Sequence, residues 1–162
     1  MSINRYLPHV LVLPEDDANR ELANGFQLDP LLDTRRMQIL GVAGGWGNVL
    51  DRFREEHIPQ MDRYANRFMV LLIDFDDQQD RMTRVRAEIP AHLIDRVFVL
   101  GVRTEPENLT RNLGSYETIG KAMAKDCRDN TEVTWTHPLL RHNAGELERL
   151  RKHIRPILFS DI

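Results

Sequence analysis

VLVLPEDD, Val10 to Asp17, is a run of four apolar residues followed by a proline and three carboxylates. The segment MVLLIDFDD, Met69 to Asp77, repeats this arrangement further along the chain. An apolar run without polar alternation is typical of a strand that is buried on both faces of a parallel sheet. Carboxylates that meet in a fold repel one another and raise each other's pKa. The two segments therefore predict buried strands whose ends gather negative charge that needs a neutralising partner.

Apolar runs alternate with amphipathic segments along the rest of the chain. Further strands are predicted at Met37–Val42 and at residues 96–102, and an edge strand is expected at residues 132–138. A helix is predicted from Trp46 onward, and Pro59 is expected to end it. Strands that alternate with helices predict a three-layer α/β sandwich, with a central, mostly parallel sheet of four to five strands flanked by helices.

Length and composition set the broad class of protein. A chain of 162 residues favours a single domain, and 41% hydrophobic with 29% charged residues is typical of a soluble globular protein. The net charge of -3 argues neither for nor against nucleic acid. Cys127 is the only cysteine, which rules out an internal disulfide and favours a reducing, cytoplasmic location. We expect no secretion signal and no membrane segment, because no apolar run has the required length.

The ends of the first three predicted strands carry the candidate site. Glu15 follows the first strand, Gly44 and Gly45 follow the second, and Asp74 and Asp76 follow the third. In parallel sheets the site lies at the carboxyl ends of the strands. Residues two apart on an extended segment point to the same side, so Asp74 and Asp76 are expected to present two carboxylates together, and Glu15 joins them if the first and third strands are neighbours.

Clustered carboxylates with no lysine among them favour a hard divalent cation. Such an all-oxygen site suits Mg²⁺ or Mn²⁺, whereas the lack of paired cysteines or a His-Glu-x-x-His motif argues against zinc. Asp16 and Asp77 extend the two clusters and are further candidate ligands. A single aspartate at a strand end is usually a helix cap or turn residue. Two separate clusters on one face of the sheet make the metal site the stronger interpretation.

A glutamate after strand one, a glycine after strand two and Asp-x-Asp after strand three resemble the Toprim domain. This catalytic fold occurs in topoisomerases, bacterial primases, small nucleases and the overcoming-lysogenization-defect nucleases. The resemblance covers roughly residues 7–113, which makes residues 114–162 a C-terminal helical extension of one domain. It implies that Glu15 serves in acid–base work or metal binding, that Asp74 and Asp76 are the metal-binding pair, and that Gly44 or Gly45 is the turn glycine.

Nuclease branches of this family carry another acidic motif after strand four. RTEPENL, residues 103–109, looks like that element, which makes Glu105 or Glu107 a candidate further ligand. Two features depart from the family pattern. DFDDQQD, residues 74–80, is not the Asp-x-Asp-x-x-Gly form of topoisomerases and primases, and the segment after strand one is more acidic than usual and lacks the glycine or lysine often found there.

The resemblance implies divalent-metal-dependent phosphodiester hydrolysis of nucleic acid, with DNA favoured over RNA. Such chemistry needs cations for the flanking phosphates. Arg81 and Arg84 follow the Asp-x-Asp pair, and Lys121 and Lys125 lie one helical turn apart, so either group is a candidate. Taken alone, each group is more typical of a solvated helix face. The resemblance also implies a separate ATPase or another protein partner, and homo-oligomer formation is compatible with the sequence.

A second family accounts for the same acidic clusters. VLVLPEDDANREL, residues 10–22, also looks like the start of a response-regulator receiver, which implies magnesium on the acidic pair and phosphorylation of Asp74. Receivers carry Ser or Thr at the end of strand four, where this chain has Gly101. They carry Lys-Pro after strand five, where this chain has His137-Pro138. The third hypothesis is an interaction module without catalytic activity.

Overall fold

A four-stranded, all-parallel sheet lies at the centre of the computed structural model, which describes residues 3–160. The strands are β1 (His9–Pro14), β2 (Met37–Ile39), β3 (Arg67–Leu72) and β4 (Val97–Leu100). They are ordered β2-β1-β3-β4 across the sheet. With helices on both faces, this architecture confirms the predicted three-layer α/β sandwich.

Helices flank the sheet throughout the described chain. They are α1 (Asp17–Gln27), α2 (Trp46–Arg52), α3 (Ile58–Arg63), α4 (Arg81–Ala87), α5 (Thr110–Leu113), α6 (Tyr116–Asp129), α7 (Ala144–His153) and α8 (Arg155–Leu158). Short 3-10 segments cover Thr34–Arg36, Ala91–Arg96, Pro106–Asn108 and Arg141–Asn143. None of the helices within residues 3–160 combines the length and apolar character needed to cross a bilayer.

Alternate residues of β1 belong to two separate hydrophobic cores, one on each face of the sheet. Val10 and Val12 pack with residues of α1, α6, α7 and α8 on one face of the sheet. Leu11 and Leu13 pack with residues of α2, α3 and α4 on the other face. Because successive side chains of a strand point to opposite faces, a strand covered on both sides needs an unbroken apolar run. This is why VLVL predicted a buried strand correctly.

The helix that begins at Trp46 continues past Pro59, so the expectation that this proline ends it is wrong. A π-helical turn, Phe53–His57, joins α2 directly to α3. The Ile58 N–H donates to the Phe53 carbonyl in that turn. Pro59 then lies in the first turn of α3, where a residue without an N–H is tolerated.

The edge strand expected at residues 132–138 is also wrong, because these residues form turns on α6. The Thr134 N–H donates to Asp126 Oδ2 at 2.7 Å, and Trp135 Nε1 donates to the Met123 carbonyl at 3.1 Å. Trp135 is buried in the core, whereas Val133, two residues before it, is exposed. The alternation of apolar and polar residues in this segment therefore belongs to turns that pack against α6, and not to a strand.

Side chains near the start of α7 occupy the free edge of β4. The Val99 N–H donates to Glu146 Oε2 at 2.7 Å. Asn143 bonds Gly101 twice, since its Oδ1 accepts from the Gly101 N–H at 3.3 Å and its Nδ2 donates to the Gly101 carbonyl at 2.9 Å. These contacts satisfy backbone groups that a fifth strand would otherwise pair, and they protect the edge from pairing with another chain.

Two glycines bring α1 and α6 into backbone contact. A Cβ added to Gly25 would lie 2.3 Å from the Glu117 carbonyl oxygen, and one added to Gly120 would lie 2.2 Å from the Leu22 carbonyl oxygen. Both distances are far below van der Waals contact, so only glycine fits at these positions. The close contact holds α1 against α6. The first turn of α1 carries part of the candidate site.

Candidate metal centre

The strand order places the candidate site where the chain changes direction across the sheet. From β1 the chain passes to β2 on one side and then returns to β3 on the other. Ligand sites of such sheets lie at this reversal, outside the carboxyl ends of the strands. Pro14 pairs with Leu72 in the register of β1 and β3, and the Glu15 N–H donates to the Leu72 carbonyl at 2.9 Å. Glu15 and Asp74 therefore leave the sheet side by side.

Three carboxylates converge at this point. Glu15, Asp16 and Asp74 each offer one oxygen, and these oxygens all lie within 4.8 Å of one another. Asp74 is buried, with 6% of its surface exposed, and its N–H donates to Glu15 Oε1 at 3.2 Å. Within residues 3–160 no lysine or arginine forms an ion pair with any of these three carboxylates. We refer to these three residues as the carboxylate cluster.

Asn19 is the neutral residue that joins the cluster, and the sequence reasoning missed it. Its Nδ2 donates to Asp74 Oδ1 at 2.9 Å and to Asp16 Oδ1 at 3.0 Å. Asp16 is the N-cap of α1, so its Oδ1 also accepts from the Asn19 N–H at 3.0 Å. Asn19 is fully buried, and its own Oδ1 has no hydrogen-bond partner among the described residues. A polar residue three positions after an N-cap aspartate was the available signal.

Burial and the repulsion between carboxylates raise the pKa of Glu15 and of Asp74. Burial, which is the largest cause, and the charges of Asp16 and Glu15 together raise the pKa of Asp74 to about 8, although the hydrogen bond from Asn19 opposes the shift. Burial also raises the pKa of Glu15, and the Asp16 and Asp76 carboxylates add to that effect. Asp74 therefore retains a proton near neutral pH, while the charge of Arg81 opposes the rise in the pKa of Glu15.

Asp76 lies outside the carboxylate cluster. The backbone is not extended beyond Phe75, since Asp76 and Asp77 both have positive φ, 47° and 59°. This left-handed turn directs the exposed Asp76 side chain to Arg81, whose NH1 lies 3.1 Å from Asp76 Oδ2. Asp77 pairs with Arg103 at 3.0 Å in the same way. The side-by-side arrangement expected for Asp74 and Asp76 requires an extended backbone that this turn does not have.

Arg81 stabilises the loop that carries Asp74 through hydrogen bonds. Its NH1 donates to the Asp74 carbonyl at 2.6 Å, in addition to the contact with Asp76. Its guanidinium also lies over the ring of Trp46, 4.7 Å from the centroid, and only 11% of its side chain is exposed. Arg81 therefore positions the loop and has little surface left for a phosphate.

The predicted turn glycines, Gly44 and Gly45, contact the main chain of Glu15. The Gly44 and Gly45 N–H groups both donate to the Glu15 carbonyl, at 2.8 and 3.3 Å. Both glycines have positive φ, 85° and 122°, which strains any residue with a side chain. The loop thus fixes the main chain of Glu15 and leaves its carboxylate to the cluster.

The two glutamates predicted as further ligands are exposed and lie outside the carboxylate cluster. Glu105 precedes the 3-10 segment Pro106–Asn108 and accepts from the Asn108 N–H through its carbonyl. Glu107 is close to Tyr116, since burial and then the Glu107 carboxylate raise the pKa of the Tyr116 hydroxyl. The structure therefore brings Glu15, Asp16 and Asp74 together and leaves Asp76, Glu105 and Glu107 apart.

The remaining candidate cations are spread over two helices. Arg84 is exposed on α4, and its guanidinium lies over Trp46 at 5.2 Å from the ring centroid. Lys121 and Lys125 are exposed on α6, and Lys121 pairs with Glu117 at 3.4 Å. Near the end of α6, Arg128 pairs with Asp29, which follows the end of α1. Lys125 therefore lies toward the end of α1 that is remote from the carboxylate cluster.

Comparison with known proteins gives no relative from which to transfer a function. No protein-family model matches the chain, and neither curated proteins nor solved structures give a significant match. The chemistry of the site must therefore be inferred from its own residues.

Proposed function

We propose that the carboxylate cluster holds Mg²⁺ or Mn²⁺ and that the protein hydrolyses phosphodiester bonds of nucleic acid in the manner of Toprim nucleases. The observation that carries this proposal is the convergence of Glu15, Asp16 and Asp74 within 4.8 Å, with no ion pair to a lysine or arginine among residues 3–160. DNA is the proposed substrate ahead of RNA.

The donor set fits a hard divalent cation. All three donors are carboxylate oxygens, and neither cysteine nor histidine belongs to the cluster. Asp74 keeps a proton up to a pH of about 8 because burial and its acidic neighbours disfavour the ionised form. A bound dication would replace that proton and neutralise the repulsion. A cation at this position would polarise a phosphoryl oxygen and lower the pKa of a bound water.

The chain's own residues have distinct parts in this proposal. Asn19 orients the carboxylates of Asp16 and Asp74 through its two hydrogen bonds. Arg81 fixes the Asp74 carbonyl, so that the loop after β3 keeps its position. Glu15 is the proposed group for proton transfer, because burial raises the pKa of its carboxyl and its side chain lies beside Asp74.

The receiver hypothesis meets two obstacles in the geometry. A Cβ at Gly101 would lie 1.6 Å from the Ile73 carbonyl oxygen, so the Ser or Thr that receivers carry cannot be accommodated there without moving the backbone. No strand follows β4 within the described residues, and His137-Pro138 lies in the turns that pack on α6. We therefore favour hydrolysis over phosphate acceptance at Asp74.

The test is a nuclease assay on single-stranded and duplex DNA and RNA, with Mn²⁺ or with EDTA. Asp74→Asn should abolish cleavage, because it removes a charge from the cluster while keeping the shape of the side chain. Asp77→Asn is the matched control, since it removes an exposed carboxylate of the same loop that pairs with Arg103. Cleavage that survives in Asp74→Asn, or that is lost equally in Asp77→Asn, would overturn the proposal.

A further inference from the structure

Three arginines surround Tyr64 at the end of the sheet opposite the carboxylate cluster. The guanidinium carbons of Arg5, Arg63 and Arg67 lie 5.1, 5.4 and 5.1 Å from the centroid of its ring. Arg5 NH1 also donates to the Tyr64 hydroxyl at 2.8 Å. We refer to these three arginines as the arginine cluster. Cation–π contacts hold them together despite their mutual repulsion.

The arginine cluster has no paired carboxylate among residues 3–160. Within the described part of the chain, none of the three guanidiniums forms an ion pair with a carboxylate. Arg67 Nε instead faces His9 Nε2 at 3.1 Å. Burial and the charge of Arg5 lower the pKa of Arg67, and burial together with the neighbouring arginines lowers that of His9. Unbalanced cations held this close create a local field that attracts anions.

An exposed aromatic ring borders the arginine cluster. Tyr6 has 77% of its surface exposed, and its ring meets that of Tyr64 edge-on, with centroids 6.5 Å apart and planes at 74°. The Asn66 side chain donates to the Tyr6 carbonyl at 2.7 Å, which holds the Tyr6 backbone beside β3. Tyr6 therefore presents an aromatic surface to solvent next to three guanidiniums.

The net charge of -3 conceals this separation of charge. His9 pairs with Arg67 at the start of β1 and β3, and Pro14 pairs with Leu72 at their end, just before the carboxylate cluster. With a rise of about 3.3 Å per residue, the arginine cluster and the carboxylate cluster are separated by roughly 20 Å along these strands. The arginine cluster is thus a surface of its own and not a flank of the carboxylate cluster.

We propose that the arginine cluster and Tyr6 form a binding surface for single-stranded nucleic acid, with the phosphates on Arg5, Arg63 and Arg67 and a base on Tyr6. Guanidiniums bind phosphate oxygens through paired N–H groups, and aromatic rings stack on unpaired bases of any sequence. Two alternative ligands fit this surface less well. A nucleic-acid duplex has phosphates for the arginines, but its bases are stacked and paired and cannot contact Tyr6. A stretch of acidic residues has carboxylates for the arginines but no aromatic ring to stack on Tyr6. The exposed Tyr6 favours the single strand over both.

The test measures binding by fluorescence anisotropy with a labelled oligonucleotide of about 12 nucleotides, over a series of salt concentrations. EDTA is present throughout, so the result is independent of hydrolysis at the carboxylate cluster and of the proposed function. Arg63→Ala should weaken binding several-fold and lower the slope of log K against log salt by about 0.7. Tyr6→Ala should weaken binding about fivefold or more, whereas Tyr6→Phe should retain it.

Lys152→Ala is the matched control, because Lys152 is an exposed cation on α7 outside the arginine cluster. It should bind as the unmodified protein does. Circular dichroism confirms that each variant is folded, which is expected because Tyr6 and Arg63 are exposed. Unchanged binding in Arg63→Ala, an equal loss in Lys152→Ala, or equal affinity for duplex DNA or a polyglutamate peptide would overturn the proposal.

Discussion

Asn19 Nδ2 donates to Asp74 Oδ1 at 2.9 Å and to Asp16 Oδ1 at 3.0 Å, so one buried amide holds two carboxylates that follow different strands. Such an arrangement gathers negative charge and also fixes its geometry. A structural cluster would gain more from a lysine or arginine at this position. A neutral donor leaves the charge unbalanced and open to a dication.

Asn19→Ala should raise the pKa of Asp74 above its value of about 8. The reason is that the hydrogen bond from Asn19 stabilises the ionised carboxylate and opposes the effect of burial. The measurement is a ¹³C NMR titration of the side-chain carboxyl groups in EDTA. Asn24→Ala, which changes an exposed asparagine of the same helix, should leave the titration unchanged. An unaltered Asp74 titration in Asn19→Ala would contradict the role given to this amide.

Asp74→Asn should stabilise the metal-free protein at alkaline pH. The folded pKa of about 8 lies above the ordinary value of 3.8, so the native state holds a proton that the unfolded state has lost between these values. The contribution of this raised pKa to the free energy of unfolding is complete below pH 3.8. It declines as the pH rises and is gone above pH 8. Asparagine carries no such ionisation and keeps an oxygen for Asn19.

Thermal unfolding in EDTA from pH 5 to pH 9 measures this effect. The difference in Tm between Asp74→Asn and the unmodified protein should grow with pH, to about 4 °C or more above pH 8. Asp76→Asn, which changes an exposed carboxylate, should show no comparable trend. Parallel Tm profiles for Asp74→Asn and the unmodified protein would contradict the raised pKa.

Glu146→Ala should destabilise the fold strongly. This carboxylate is buried, accepts from the Val99 N–H at 2.7 Å, and pairs with Arg86 at 3.0 Å and Arg149 at 2.7 Å. Removing it leaves a backbone donor of β4 without its partner, at a cost of about 3–5 kcal/mol in unfolding free energy. Urea denaturation measures the loss. Glu148→Ala, on the exposed face of α7, should change stability by less than about 0.5 kcal/mol.

Gly120→Ala should separate α1 from α6 and destabilise the protein. The added Cβ would lie 2.2 Å from the Leu22 carbonyl oxygen, so the two helices must move apart. Gly145→Ala is a helical control with nothing within 4 Å of the added Cβ, and it should be neutral or stabilising. Tm values of both variants provide the test. Equal stability of the two would show that the helix contact is more adaptable than the structure indicates.

Apolar runs predicted all four strands, because strands covered on both faces need unbroken apolar runs, but the second strand covers only Met37–Ile39. The meeting of Glu15 with Asp74 was predicted on the condition that β1 and β3 are neighbours, and the strand order meets that condition. The position of Asp76 did not follow, because a left-handed conformation at two consecutive aspartates has no dependable sequence signal. Asn19 was missed because its importance comes from two side-chain hydrogen bonds, to Asp16 and Asp74, that no local sequence pattern specifies. The segment at residues 132–138 was misassigned because turn and edge strand share the same local pattern.

Calorimetric titration of Mn²⁺ into the metal-free protein at pH 7, in two buffers of different ionisation enthalpy, tests the carboxylate cluster most directly. We predict binding at millimolar or lower concentration with release of protons from the cluster, and a large loss of both in Asp74→Asn. Asp77→Asn should bind as the unmodified protein does. Absence of binding heat up to millimolar Mn²⁺, or binding that is unchanged in Asp74→Asn, would contradict the proposed metal site.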